Sequence, residues 1–237
     1  VVGDIALLHA ETEEDEEEAT RQITRALIRT NLMPSIYSKE VERTNRIGVS
    51  LTGVFEWAQK RWGLGFRDLI KEDERSMPFW NRLQELAELV REAADDYSDE
   101  LGLVHPHTLR TVKPAGSTSK LFALTEGVHL PALREYLRWV QFRHDDPLVA
   151  EYAARGYPTR QLQSYAGTTV VGFPTRLPIC EMGDVVLAGE ATMEEQFEWL
   201  RLLEKYWIGA ERGSQISYTA KYDPKVVSYE EYSRIID

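Results

Sequence analysis

The sequence predicts an α/β fold. Short apolar runs of strand length alternate along the chain with longer segments whose apolar residues recur at helical spacing. Such alternation favours helices packed on a sheet over separate all-α or all-β domains. The 237 residues contain no internal repeat and no low-complexity linker, so we expect residues 1–237 to form a portion of one domain.

The elements of the first half follow from apolar spacing and from capping residues. The apolar start at residues 1–8 is strand-like, and it needs a neighbouring strand or preceding chain to cover it. Thr12 and Asp15 predict the capped start of a helix, which Met33 and Pro34 end. The first helix has a predicted buried face at Ala19, Ile23, Ala26 and Leu27. The other predicted elements are a strand at 47–51, a helix at 54–61, a long helix capped by Ser76 with Phe79, Leu83, Leu86, Val90 and Ala93 inside, and an extended segment at 109–112.

The second half follows the same rules. Asp146 and Pro147 start a helix, and Thr192 with Glu195 forms a capping box for another. The remaining predicted elements are a short helix from Ser119 to near Gly127, a strand or aromatic-rich buried element at 134–142, a strand at 168–173, a half-buried strand carrying Ile216, Tyr218 and Ala220, and a last helix at 229–235. Residues 181–190 fit a loop or a hairpin equally well.

Composition excludes several classes of function. The net charge of −11 argues against a surface for nucleic acid or anionic membranes, and no apolar run approaches the length of a membrane span. The single cysteine, Cys180, excludes an internal disulfide framework and fits a cytoplasmic protein. We interpret the acidic residues 11–18 as a solvated helix start and the six tryptophans as core and helix-packing residues.

The most informative stretch is the loop after the extended segment at 109–112. Pro114 ends that segment, and Gly116 lets the backbone turn without a side chain in the way. The candidate site, which we call the loop 114–119, consists of Pro114, Ala115, Gly116, Ser117, Thr118 and Ser119. Its hydroxyls and N–H groups lie where a helix would begin and favour a phosphate, whereas an ordinary strand–helix connection is the alternative. The Gly-Lys-Ser/Thr ending of a nucleotide-hydrolysing P-loop is absent.

The histidines do not predict a metal site. His105 and His107 lie two residues apart, but no carboxylate or cysteine follows at a supporting distance. We therefore assign no metal ligand and take both as surface or edge residues.

The loop also carries a resemblance to a known family. Lys113 to Ser119, followed by Gly127, Val128 and His129, resembles the substrate-phosphate loop of ribonucleotide reductases, above all the monomeric, adenosylcobalamin-dependent ribonucleoside-triphosphate reductases. For His129, both contact with substrate and a packing role stay open. Further segments agree in the same order, so that the resemblance spans nearly the whole chain: 46–53, 145–148, 156–158, 169–174 and 216–219.

This resemblance implies the C-terminal part of a ten-stranded α/β barrel of the ribonucleotide reductase type. It implies an enzyme that converts ribonucleoside triphosphates to deoxyribonucleotides for DNA synthesis, by thiyl-radical chemistry with adenosylcobalamin as cofactor. The loop 114–119 would then bind the substrate's phosphates, and the segment would complete the barrel. The implied partners are the ribonucleoside triphosphate, the N-terminal part of the same enzyme and a thioredoxin-type reductant.

The catalytic groups of that family have no counterpart here. Reductases of this type carry the radical on the cysteine of an Asn-Pro-Cys-Gly-Glu loop and take electrons from a cysteine pair, and this chain has neither. We therefore assign no catalytic residue and expect the chain alone to be inactive. Residues 1–5 resemble those just after the second redox cysteine, so we expect a segment without the radical-cysteine loop and the cysteine tail.

An intein, a split gene or an incomplete record would each explain such a segment. Two alternative functions stay open. One is a reductase of another class with the same barrel, and the other is a non-catalytic phosphate-binding module.

Overall fold

A computed structural model describes residues 1–183, 185–209 and 211–236, and in it strands and helices alternate as predicted. The strands are β1 (Val2–Ile5), β2 (Gly48–Leu51), β3 (Arg110–Val112), β4 (Glu135–Arg143), β5 (Thr159–Gln161), β6 (Thr168–Arg176) and β7 (Gly213–Ile216). The α-helices are α1 (Glu13–Asn31), α2 (Ser38–Thr44), α3 (Val54–Trp62), α4 (Phe66–Leu69), α5 (Met77–Leu101), α6 (Gly116–Leu121), α7 (Pro147–Ala154), α8 (Met193–Leu203) and α9 (Tyr229–Ile236). A π-helical turn, Glu204–Ile208, continues α8.

Four strands form a parallel sheet in the order β1-β2-β3-β7. The residues of β2 and β3 are all buried, as expected for inner strands of a parallel sheet that helices cover. Asp4 of β1 lies opposite Ser50 of β2, and β2 separates β1 from β3. The carboxyl ends of these strands therefore meet at one edge of the sheet.

A second sheet was not foreseen from the sequence. The strands β4, β6 and β5 pair antiparallel in the order β4-β6-β5. The strand predicted at 134–142 is confirmed, but its side chains alternate between exposed and half-buried and are not a buried element. Trp139 is 37% exposed and packs against the Arg160 guanidinium at 4.5 Å, so its assignment to the core was wrong.

Aromatic side chains fill the main core. The largest fully buried ones include Trp57, Trp80, Trp199 and Trp207. Trp80 lies 5.5 Å from Trp199 and stacks on Tyr206 at 5.0 Å between ring centroids, which joins α5 to α8 and its π-helical turn. These contacts fix the helices against the parallel sheet.

The capping predictions for α1 and α8 are confirmed, but the buried face of α1 differs from the predicted one. Thr12 with Asp15 and Thr192 with Glu195 form capping boxes. On α1, Ala19 and Ala26 are exposed, whereas Glu16 is buried with two threonines. The reason is that Glu16 accepts hydrogen bonds from Trp57 Nε1 at 2.8 Å and Arg82 Nε at 2.9 Å, which compensate its burial.

Two further features differ from prediction. Ser76 gives α5 no side-chain cap, and its hydroxyl instead accepts from the Asp73 N–H. The last strand ends at Ile216, because its neighbour β3 ends at Val112, opposite Ile216, and offers no partner to Tyr218 and Ala220. Residues 181–183 and 185–190, the described part of the segment predicted as a loop or a hairpin, contain no strand.

No helix among the described residues is both long and apolar enough to span a bilayer.

Candidate functional site

The loop 114–119 follows β3, at the edge of the parallel sheet where the strands end. In α/β folds this edge is where ligands bind, because the connections after the strands converge there. The helix α6 begins at Gly116, three residues earlier than predicted, so most of the loop forms its first turn. The structure therefore places the sequence-predicted residues together at a position suited to a ligand.

Gly116, Ser117 and Thr118 form the first turn of α6, where backbone N–H groups have no acceptor within the helix. Among the described residues, none of the three donates a hydrogen bond to a protein acceptor. A Cβ built on Gly116 would meet no atom within 4 Å, so the space in front of the loop is open. Because α6 is only 6 residues long, the local N–H groups rather than a long helix dipole would attract an anion.

Ser119 differs from the other loop residues because it is buried. Its N–H donates to the Ala115 carbonyl at 2.9 Å, and its hydroxyl donates to the Gly116 carbonyl at 3.4 Å. Its own carbonyl accepts from the Leu124 N–H at 2.8 Å. Ser119 thus closes the turn from inside, while Ser117 is exposed and Thr118 half-buried.

The end of β2 holds the segment that follows α6. Thr52 Oγ1 donates to the Thr125 carbonyl at 3.0 Å and accepts from the Gly127 N–H at 3.2 Å. Gly127 has a φ of +61°, and a Cβ there would lie 2.5 Å from the Lys113 carbonyl oxygen. Only glycine fits this close approach.

Glu56 of α3 supports the same segment from below. It is 1% exposed, and its carboxylate accepts from the Thr125 N–H and the Thr125 hydroxyl, both at 2.7 Å. Burial raises the pKa of Glu56, and the hydrogen bonds from Thr125 oppose that rise. Neither Thr52 nor Glu56 was singled out from the sequence, although the strand ending before Gly53 places Thr52 at the correct edge of the sheet.

His129 makes packing contacts in this structure and also lines a groove beside the loop 114–119. Its Nδ1 lies 3.1 Å from the Glu126 carbonyl, its Nε2 accepts from the Thr219 N–H at 3.3 Å, and its ring stacks on Tyr218 at 4.7 Å. The Nδ1 therefore carries the proton, and burial lowers the pKa of His129. Burial also raises the pKa of Tyr218 to about 12.

A groove of about 580 Å³ adjoins the loop 114–119. Pro114, Lys120 and Lys221 line it, and Leu130, Leu133 and Leu177 are among its apolar residues. Lys120 pairs with Glu126 at 2.8 Å, which offsets part of its charge. Two cationic side chains thus lie close to the candidate anion loop.

The other residues considered from the sequence lie elsewhere. His105 is exposed and contacts Asp95 at 3.4 Å and Asp99 at 2.8 Å, His107 is exposed, and Cys180 is half-buried. Across 1–183, 185–209 and 211–236, no three His, Cys, Asp or Glu side chains come together as a metal site would require.

Comparison with known proteins gives one consistent group of relatives. Over 201 residues, 79% of this chain, it is 30% identical to an adenosylcobalamin-dependent ribonucleoside-triphosphate reductase of Levilactobacillus brevis, of which it covers 26%. The corresponding enzyme of Lactobacillus leichmannii is 28% identical over 179 residues, 70% of this chain and 24% of that enzyme. The chain thus spans about a quarter of the length of these curated relatives. No family model matches the chain.

A crystal structure of a B-12 dependent (class II) ribonucleotide reductase has a similar fold, with a TM-score of 0.70 and 24% sequence identity. The match covers 92% of this chain and 32% of that structure. The predicted resemblance and the predicted fold class, part of an α/β barrel of this type, are therefore confirmed.

Proposed function

We propose, starting from this homology to adenosylcobalamin-dependent ribonucleoside-triphosphate reductases, that the chain is the C-terminal portion of the catalytic barrel of such an enzyme. The whole enzyme would convert ribonucleoside triphosphates to deoxyribonucleotides by thiyl-radical chemistry, in the cytoplasm and for DNA synthesis. Residues 1–237 would bind the phosphates of the substrate and complete the barrel. The proposal agrees with relatives that share 28–30% identity and with the fold of a class II reductase.

The observation that carries the phosphate role is the loop 114–119 at the carboxyl edge of the parallel sheet. The N–H groups of Gly116, Ser117 and Thr118 have no acceptor among the described residues, and the space in front of Gly116 is open. The exposed hydroxyl of Ser117 and the half-buried one of Thr118 add donors that suit phosphate oxygens.

The other loop residues shape the site. Pro114 fixes the backbone dihedral at the exit from β3, and Ala115 is buried, so that both hold the turn in place. Ser119 closes the turn through its bonds to Ala115 and Gly116. Lys120 and Lys221 in the adjoining groove would lower the cost of bringing a polyphosphate close to a chain whose net charge is −11.

Adenosylcobalamin is the cofactor in the names of the relatives, and it supplies radical chemistry when bound. We assign no contact with it to His129, which lines the groove beside the loop 114–119, because both of its ring nitrogens are engaged with the protein backbone. We therefore assign the cofactor to the rest of the enzyme.

The radical chemistry also needs groups from elsewhere. Cys180 is the only cysteine of the chain, is half-buried and has no cysteine partner. We propose that the N-terminal part of the enzyme brings the radical cysteine and that a thioredoxin-type reductant renews the redox cysteines. The chain alone would then bind nucleotide without reducing it.

Substitution of Gly116 tests the phosphate role. In the reductase that contains this chain, Gly116→Val would fill the open space in front of the loop, and we expect KM for the ribonucleoside triphosphate to rise about tenfold or more through lost binding energy. Steady-state kinetics and equilibrium binding of the nucleotide measure the effect.

Gly189→Val is the matched control. Gly189 also has open space around its Cβ position and has no positive φ, but it lies outside the loop 114–119. Unchanged KM and nucleotide affinity in Gly116→Val would remove the phosphate assignment. A chain that binds nucleotide while the assembled enzyme never reduces it would favour the non-catalytic module.

A further inference from the structure

A buried ion pair lies behind the loop 114–119. The ammonium group of Lys113, the residue just before Pro114, lies 2.5 Å from Asp4 Oδ2. The side chain of Asp4 is only 3% exposed, whereas that of Lys113 is 24% exposed. The pair reaches from β1 to the end of β3, past the strand β2 that separates them.

The middle strand joins this connection. Ser50 of β2 lies opposite Asp4 in the β1–β2 register and is fully buried. Its hydroxyl accepts a hydrogen bond from the Lys113 N–H at 3.2 Å. Asp4, Ser50 and Lys113 thus form a line across the carboxyl ends of three parallel strands.

Lys113 is held through its backbone N–H and its ammonium group, and its carbonyl is closely packed. Its N–H is held by Ser50, its ammonium group by Asp4, and its carbonyl lies against Gly127, where a Cβ would approach to 2.5 Å. Since Pro114 follows directly, the position of Lys113 sets where the loop 114–119 starts.

Only one of the two carboxylate oxygens of Asp4 has a polar partner among the described residues. Its Oδ1 is buried and has no hydrogen-bond partner among the described residues, so one oxygen of a buried anion is uncompensated. An acidic side chain buried in such a place costs stability unless it is paired with a cation and fully hydrogen-bonded. Lys113 is the cationic group that balances it.

We propose that Asp4 is a positioning residue for the loop 114–119: through its ion pair with Lys113 it fixes the start of the loop, and thereby the direction of the loop's N–H groups. This rests on the proposed phosphate role of the loop. Asp4 itself does not touch the substrate, because its carboxylate acts through Lys113.

The test compares four variants of the reductase that contains this chain: Asp4→Asn, Lys113→Gln, the double variant and Gly116→Val. Asp4→Asn keeps the shape of the side chain and removes its charge. We expect KM for the ribonucleoside triphosphate to rise about tenfold in Asp4→Asn, with kcat nearly unchanged. The double variant should show no larger rise than either single variant, because both remove the same interaction.

Asp95→Asn is the matched control. It breaks a half-buried pair with Arg212, at 2.7 Å, which joins α5 to the residue just before β7, and should leave KM unchanged. Thermal unfolding of each variant separates lost folding from lost binding. If Asp4→Asn does not fold, Lys113→Gln carries the test alone.

The outcomes separate the two proposals. A KM rise in Gly116→Val with none in Asp4→Asn and Lys113→Gln would overturn the role of Asp4 and keep the phosphate site. No rise in any variant would overturn the phosphate site itself. Additive effects of Asp4→Asn and Lys113→Gln would show that Asp4 does not act through Lys113.

Discussion

Single residues decide how the loop 114–119 is supported, and Glu56 is the clearest example. Its carboxylate lies in the interior beneath Thr125 and accepts both the N–H and the hydroxyl of that residue. Burial raises its pKa, so the folded state binds this proton more tightly than the unfolded chain does. Glu56 therefore positions the segment after α6, but the free-energy cost of burying its carboxyl group increases when the group ionises.

The raised pKa of Glu56 predicts how the free energy of unfolding depends on pH. Because the folded pKa of Glu56 lies above the ordinary value of 4.5, its contribution to stability is most favourable below that value. The contribution falls as pH rises through the folded pKa. Glu56→Gln can keep both contacts to Thr125 but cannot ionise. Its free energy of unfolding should therefore increase relative to that of the native chain as pH rises above about 4.5.

Urea unfolding between pH 4 and 8 measures the difference. Glu56→Ala provides the contrast, since it leaves the buried donors of Thr125 unpaired and should lower the free energy of unfolding by about 1–3 kcal/mol at pH 4, and by less as pH rises and the native carboxyl ionises. A free energy of unfolding of Glu56→Gln that falls relative to that of the native chain as pH rises would contradict the assigned direction.

At the scale of elements, Arg110 joins β3 to the end of α8. Its guanidinium donates to the carbonyls of Trp207 at 2.6 Å, Ile208 at 2.9 Å and Ala87 at 3.0 Å. The bonds to Trp207 and Ile208 satisfy carbonyls that the end of the π-helical turn leaves without helical partners, and the bond to Ala87 reaches the middle of α5. A buried cation that has no carboxylate partner among the described residues thus caps a helix, and burial lowers the pKa of Arg110.

Replacing that guanidinium should loosen the contact between β3 and α8. Arg110→Met keeps the apolar stem and removes every donor, so we expect the free energy of unfolding to fall by at least about 3 kcal/mol. Denaturant unfolding measures the loss. Arg155→Met, which breaks the exposed pair with Glu151, should change it by less than about 0.5 kcal/mol, and equal losses in both variants would refute the capping role.

The elements also show what the sequence could predict. Caps were found correctly because Thr12 with Asp15 and Thr192 with Glu195 interact over a few residues. The buried face of α1 and the end of β7 were missed because distant partners determine them: Trp57 and Arg82 compensate Glu16, and β3 limits β7. The loop 114–119 was recognisable from local residues, whereas its supports Thr52 and Glu56 depend on strand and helix packing.

At the scale of the whole molecule, the parallel sheet has β1 and β7 as its outer strands. Val1 and Val2 are about half exposed, at 50% and 55%. An exposed apolar strand edge can pair with another chain. If the N-terminal part of the enzyme completes the barrel as proposed, it would cover such an edge.

This gives a prediction for the isolated chain. We expect it to self-associate at micromolar concentration and to become monodisperse when co-expressed with the N-terminal barrel segment. Val2→Lys should reduce self-association, because a charge on the edge strand opposes pairing. Size-exclusion chromatography with light scattering measures the mass.

The control for this edge is Ile36→Lys. Ile36 is 91% exposed but lies between α1 and α2, away from the sheet, so this change should leave self-association unaltered. An isolated chain that stays monomeric at all concentrations would contradict the edge prediction.

The distribution of the tryptophans has an optical consequence. Trp57, Trp80, Trp199 and Trp207 are fully buried, so their fluorescence should be emitted at short wavelength and resist iodide quenching. Trp139, exposed on β4, should emit at longer wavelength and be quenched. Trp62 of the main core is half-buried, so in a Trp62→Phe variant the emission wavelength reports the state of the main core, while iodide quenching reports the antiparallel sheet. One unlabelled sample therefore shows whether the two sheets unfold together.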